Sequence, residues 1–197
     1  MSSHMFWTAP RIALAATMLA ILAGCAAMPV TSMVRLARTD FSTVDPAQLR
    51  VAVKLPQGIS PRRDRVRLVF TATIDGVPQK QEFVLADLAD PGELSRLRAD
   101  VPPGFTIHGF RLAPADVPRL SAFRADLLAR KKAGAHGSMS LSVAADACRV
   151  GALSGTVLLT TYLRTEQGSD FYPLLHDVDL LKAIPGKSGA ELLPPCG

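Results

Sequence analysis

Val66-Arg67-Leu68-Val69-Phe70-Thr71-Ala72-Thr73-Ile74, followed by Asp75-Gly76 and residues 77–86, is the stretch on which the fold turns. Val66, Leu68, Phe70, Ala72 and Ile74 occupy alternate positions, with Arg67, Val69, Thr71 and Thr73 between them. Successive side chains of a strand point to opposite faces, so this alternation predicts a strand with one buried face. Asp75-Gly76 supplies a turn, and residues 81–86 return as a hairpin partner through Phe83 and Leu85. The same pattern extends in both directions. Leu49, Val51, Val53 and Leu55 alternate with Arg50, Ala52 and Lys54, and residues 106–112 read as a strand. Met139, Leu141, Val143 and Ala145 alternate with Ser138, Ser140 and Ser142. Residues 155–164 and 171–181 flank the polar loop 165–170, and residues 33–37 complete a set of about eight strands with a first edge strand.

One helix interrupts this pattern. Asp116 can cap its start and Pro118 suits its first turn, while Val117, Leu120, Phe123, Leu127 and Leu128 form an apolar stripe. Arg130, Lys131 and Lys132 stand at its C-terminal end before Gly134. Such a cluster complements the negative end of a helix dipole, and it also suits contact with anionic lipid headgroups. A shorter helical turn is expected at residues 91–99. Together these features predict a mainly β domain, an antiparallel two-layer β-sandwich of about eight strands with one amphipathic helix. The alternative is an α+β arrangement, a single curved antiparallel sheet with the helix across one face.

The first residues carry Arg11, no acid, and the apolar run 12–22. A bilayer core of about 30 Å requires roughly 20 apolar residues, so the run is too short to span and suits the apolar part of an export signal. It ends in Leu22-Ala23-Gly24-Cys25, which resembles the lipobox of bacterial lipoproteins. The resemblance implies cleavage between Gly24 and Cys25 and acylation of Cys25. The organisation would then be a signal peptide over 1–24, a lipidated tether over 25–31 and one β-rich domain over 32–197. A tether of that length reaches about 25 Å, which keeps the domain near the membrane. Ala26 rather than Asp after the cysteine implies, by the same resemblance, the outer membrane facing the periplasm.

Without residues 1–24 the chain keeps 21 basic and 17 acidic side chains, a net charge of +4 that is mild and dispersed. Nucleic-acid binding would call for clustered basic residues with interleaved aromatics, and none is found. Cys148 and Cys196 remain after Cys25 is acylated. In an oxidising compartment two leftover thiols are most simply a disulfide, with a reactive Cys148 as the competing reading.

Catalytic patterns are weak. Gly151-Ala152-Leu153-Ser154-Gly155 has the wrong spacing for a nucleophile elbow. Gly186-Lys187-Ser188 imitates the end of a phosphate loop, yet Leu181 stands where the first glycine is required. His108, His136 and His176 lie far apart with no metal-ligand spacing, and alternation should point His176 and Asp177 to opposite faces. Asp87 and Asp90 sit in turn-like sequence, where Asp commonly bonds local backbone. The one tryptophan, Trp7, departs with the signal. The expectation is a non-enzymatic envelope lipoprotein, without cofactor or metal, that binds the membrane through Cys25 and assists an unidentified envelope protein. A carrier of a lipid or small apolar ligand between sheet and helix is the alternative, and a hydrolase with an unrecognised site is the third reading.

Overall fold

The computed structural model describes residues 44–152, 155–183, 186 and 188–196, together with 29, 31, 32 and 39. The lipobox and the edge strand expected at 33–37 lie outside the described residues. Seven strands follow: β1 (Arg50–Pro56), β2 (Ile59–Ile74), β3 (Val77–Asp87), β4 (Phe105–Leu112), β5 (Gly137–Arg149), β6 (Leu158–Arg164) and β7 (Tyr172–Asp179). The helices are α1 (Ser95–Ala99), α2 (Val117–Lys132), α3 (Leu180–Ala183) and α4 (Gly189–Leu192). The chain is mainly β, as the alternation implies. The seven strands pair antiparallel with one another and join in one sheet of order β5-β2-β3-β4-β1-β6-β7 that is nearly barrel-shaped. The layers facing each other across the core are thus parts of one curved sheet.

The β2–β3 hairpin closes as its sequence demands. Ile74 pairs with Val77 across Asp75 at φ 48° and Gly76 at φ 80°. Two central residues with positive φ make the tight turn whose twist matches the flanking strands. Alternate residues then point inward: Leu68 and Phe83 are fully buried, as are Val51 and Val53 of β1, Phe110 of β4 and Leu163 of β6. Phe70 and Phe83 meet edge to face at 6.1 Å. From α2, Leu120 enters the core, with Val117 and Phe123 packed against it. Asp116 makes no capping bond to the helix. It ends a 3-10 turn, Pro114–Asp116, with helical backbone angles, and its carboxylate pairs with Arg119 at 2.9 Å instead.

Two connections cover what the sheet leaves open. The free edge of β5 is met by the C-terminal tail: Arg149 N donates to Pro194 O and Cys196 N to Arg149 O, both at 2.9 Å. Leu193 is buried beside them, and Cys148 is bonded to Cys196. The C-terminal end of the edge strand is thereby paired rather than exposed. The second connection, residues 88–104 between β3 and β4, lies over the outer face of the sheet. Leu94 is 2% exposed, and a Cβ added at Gly109 of β4 would stand 2.7 Å from Leu94 Cδ1. Ala52, opposite Gly109 on the polar side of the β1 alternation, is therefore buried instead of facing water, and Lys54 on the same side is buried against Asp177 and the Phe105 ring. The expected turn at 91–99 is present as a 3-10 turn (Pro91–Leu94) leading into α1.

Candidate functional site: a groove beneath α2 and a covered polar face

The apolar stripe of α2 is seated on the inner side of the sheet by Leu120, and toward its C-terminal half the helix leaves a gap. A half-open volume of about 80 Å³ lies there, with Leu49, Phe70, Leu120 and Phe123 among its walls. Leu127, Leu128 and Met139 belong both to this volume and to a wider cleft of about 520 Å³ walled by Ile74, Lys131 and His136. Thr39 contributes to the same cleft. That part alone is smaller than the roughly 150 Å³ that accommodates benzene, whereas the cleft reaches the range of about 300–1,000 Å³ of small-molecule sites. Met139 is 44% exposed at the junction, a large apolar side chain left partly open to water.

Of the basic cluster predicted for lipid contact, Lys131 lines this cleft, and Arg130 and Lys132 flank it in sequence. Arg130 is paired with Asp126 at 2.9 Å, one helical turn back, while Lys131 and Lys132 are exposed. Gly134, at φ 92°, lets the chain turn away, and Ala135 N donates to Arg130 O. His136 is held by the β2–β3 turn through Asp75 Oδ1, which accepts from its backbone N–H at 3.1 Å.

The structure disperses the remaining histidines. His108 on β4 is half-buried, 3.3 Å from Thr106 Oγ1, beside a cleft of about 290 Å³ that also holds Arg63, Asp87 and Arg98. Burial, and then the Arg63 cation, hold its imidazole below the usual range. Asp87 pairs with Arg63 at 3.0 Å rather than with local backbone, whereas Asp90 does accept from Gly92 N at 2.7 Å. His176 and Asp177 do not diverge. Leu159 pairs with Val178 and Thr161 with Leu175, so Thr160 faces both residues, and Asp177 takes φ 49° at this bulge. The extra residue breaks the alternation and brings His176 Nδ1 to 3.6 Å from Asp177 Oδ2. Asp177 Oδ1 also accepts from Lys54 Nζ at 3.0 Å and Thr160 Oγ1 at 2.8 Å. Burial alone would raise the Asp177 carboxyl, but these bonds and the Lys54 charge outweigh it and leave it below its ordinary value. Tyr162 is pushed up by burial, then by Asp177 and Asp100.

Ser188, at the end of the phosphate-loop imitation, caps α4: Glu191 N donates to Ser188 Oγ, and Glu191 Oε2 accepts from Ser188 N at 2.7 Å. In the elbow-like segment, Leu153 and Ser154 lie outside the described residues.

A cluster that sequence reasoning passed over lies beneath the 88–104 connection. Arg50 pairs with Arg111 of β4 on one side and with Arg164 of β6 on the other. Directly opposed residues share a face and bring their Cβ atoms within about 4.5–5.5 Å. Glu93, from the Pro91–Leu94 turn, accepts from Arg50 Nε at 3.0 Å and also from Arg164 Nη2. Arg164 lies 5.1 Å from the Phe171 ring centroid. The signal was present as Arg50 on the polar side of β1 and Arg111 and Arg164 at strand ends, but nothing local shows that the three strands are neighbours.

Among the described residues no group of three or more His, Cys, Asp or Glu could hold a metal ion, and no helix is long and apolar enough to cross a membrane. No family model matches this chain, and neither a curated protein nor a solved structure matches it.

Proposed function

We propose that this chain is a bacterial envelope lipoprotein, anchored through Cys25 at the outer membrane on its periplasmic side, and that its domain acts by binding rather than catalysis. The ligand is an anionic phospholipid, its acyl part in the groove under α2 and its headgroup against Arg130, Lys131 and Lys132. One observation carries the reading: the apolar gap between helix and sheet adjoins, through Leu127, Leu128 and Met139, a wider cleft that Lys131 of the basic helix end also lines. Apolar lining beside cations is the chemistry that retains an amphiphile with a negative head.

The location of the groove supports the same reading. Thr39 stands in the cleft wall, and it follows Cys25 by 14 residues, a stretch that spans at most about 50 Å. An anchored Cys25 therefore leaves this end of the domain within reach of the bilayer. A few methylenes buried at about 0.8 kcal/mol each, with two lysines near anionic headgroups at about 1 kcal/mol each, sum to on the order of 5 kcal/mol. That corresponds to binding in the sub-millimolar range, sufficient where lipid is locally concentrated.

Native mass spectrometry of the chain in mild detergent supplemented with phosphatidylglycerol at about millimolar concentration, with phosphatidylcholine as the reference lipid, tests this reading. One non-covalent anionic phospholipid per chain is expected, in addition to the mass of the acylated Cys25. Leu128→Trp, which fills the gap, should release it, and Lys131→Glu with Lys132→Glu should reduce its occupancy. A chain that carries only covalent acyl mass would overturn the proposal.

A further inference from the structure

The row Arg111–Arg50–Arg164 brings three guanidinium groups to one face, and Glu93 is the one carboxylate the described residues bring into hydrogen-bonding contact with them. Three positive charges against one negative leave an excess of two. Arginine does not deprotonate in proteins, so the excess is permanent. Like charges directly opposed on a sheet are destabilising, and buried charge is costly unless paired. The hydrogen-bonding capacity is also incomplete: Arg164 is 7% exposed, and the buried Nε atoms of Arg164 and Arg111 have no acceptor.

A cleft of about 430 Å³ adjoins the Arg164 end of this row. Arg164, Glu93 and Phe171 form its inner wall, and Arg96 and Asp170, both largely exposed, meet across it at 3.2 Å. Arg96 belongs to α1 and Asp170 to the β6–β7 loop, so this ion pair latches the 88–104 connection to the body. Glu93 sits on the same connection, next to Gly92. Leu94 anchors this segment in the sheet, while its α1 margin is fastened by an exposed ion pair, a class of contact worth only about 0–1 kcal/mol.

We propose that the arginine row is a binding site for a phosphate-type dianion, and that Glu93 is its internal placeholder. The ligand enters through the 430 Å³ cleft, the Arg96–Asp170 latch parts, Glu93 is displaced, and the ligand's several oxygens take the guanidinium donors that one carboxylate cannot fill. Tetrahedral oxyanions suit arginine because its planar fork offers parallel N–H donors. This site is separate from the groove beneath α2 and stands without the lipid reading.

Inorganic phosphate is the probe, added to the full chain in detergent at constant ionic strength, with chloride as the reference anion. Glu93→Gln should bind phosphate on the order of tenfold more tightly than the unaltered chain, read as a phosphate-dependent rise in Tm. Arg164→Gln added to Glu93→Gln should remove that rise. Hydrogen exchange at amides 95–99 should quicken when phosphate binds the unaltered chain, because the latch that holds α1 parts while Leu94 stays packed. Arg96→Ala breaks only the exposed latch, and it should tighten phosphate binding even if Glu93→Gln does not fold. Vesicles containing phosphatidic acid distinguish the source: retention of Glu93→Gln on them without any response to free phosphate assigns the oxyanion to a lipid headgroup at this same row. Equal responses to phosphate and chloride in every variant, or a response indifferent to Arg164, would overturn the site.

Discussion

Gly109→Ala probes whether the 88–104 connection is packed on the outer face of the sheet. Gly109 lies on β4 opposite Ala52, which is fully buried. An alanine Cβ there would come within 2.7 Å of Leu94 Cδ1 and 3.0 Å of Leu88 Cδ2. On an open strand, Gly to Ala should stabilise by about 0.5–1 kcal/mol, because the unfolded chain loses freedom. Here overpacking costs about 1–3 kcal/mol, so a net loss of about 1–2 kcal/mol is expected. With a urea slope near 2 kcal/mol/M, that is a midpoint about 0.5–1 M lower. Leu94→Ala costs about 2–4 kcal/mol by itself. In that background the closest clash is gone and only the 3.0 Å approach to Leu88 Cδ2 remains, so the loss from Gly109→Ala should shrink toward zero. A double-mutant cycle by urea denaturation reads the coupling directly. A stabilising Gly109→Ala in the unaltered chain, or the same loss with and without Leu94, would refute the packing.

Two further expectations concern stability. Replacing Cys148 and Cys196 by alanine opens a loop of 48 residues and should cost about 4 kcal/mol on the chain-entropy model. Hydrogen exchange should show the tail amides of 193–196 exposed before the sheet melts. His108 is held below its unfolded value of 6.5 by burial and by Arg63. The unfolded chain then binds more protons as pH falls through and below 6.5, so stability is fully present above that pH and declines on acidification. His108→Gln should flatten the pH dependence of the urea midpoint, and an unchanged slope between pH 7 and 5 would contradict the assignment.

The strands were legible because their reporters are local. Val66 to Ile74 alternate and Asp75-Gly76 can turn, so β2, its turn and β3 follow from neighbours in sequence. The seven-stranded order was not legible, since β1 lies between β4 and β6 and no local pattern states that. Two misreadings share this cause. The polar side of β1 was expected at a solvent face, yet a connection about 40 residues later covers it, with Glu93 on Arg50. His176 and Asp177 were expected to diverge, but the bulge opposite Thr160 resets the alternation. The groove was half visible: the apolar stripe and the basic end of α2 stand in the sequence, while the gap between helix and sheet depends on how far Met139 and Phe70 fill the space beneath it.

Brominated lipids test most directly whether an anionic phospholipid occupies the α2 groove. Trp7 is the only tryptophan in the chain, so Trp7→Phe with Met139→Trp places a single fluorophore at the mouth. The protein is reconstituted in two vesicle preparations of identical overall composition, with the bromines on the acyl chains of phosphatidylglycerol in one and of phosphatidylcholine in the other. Quenching should be strong with the first and weak with the second, and Lys131→Glu with Lys132→Glu should erase the difference. Equal quenching from both lipids, or none from either, would contradict it.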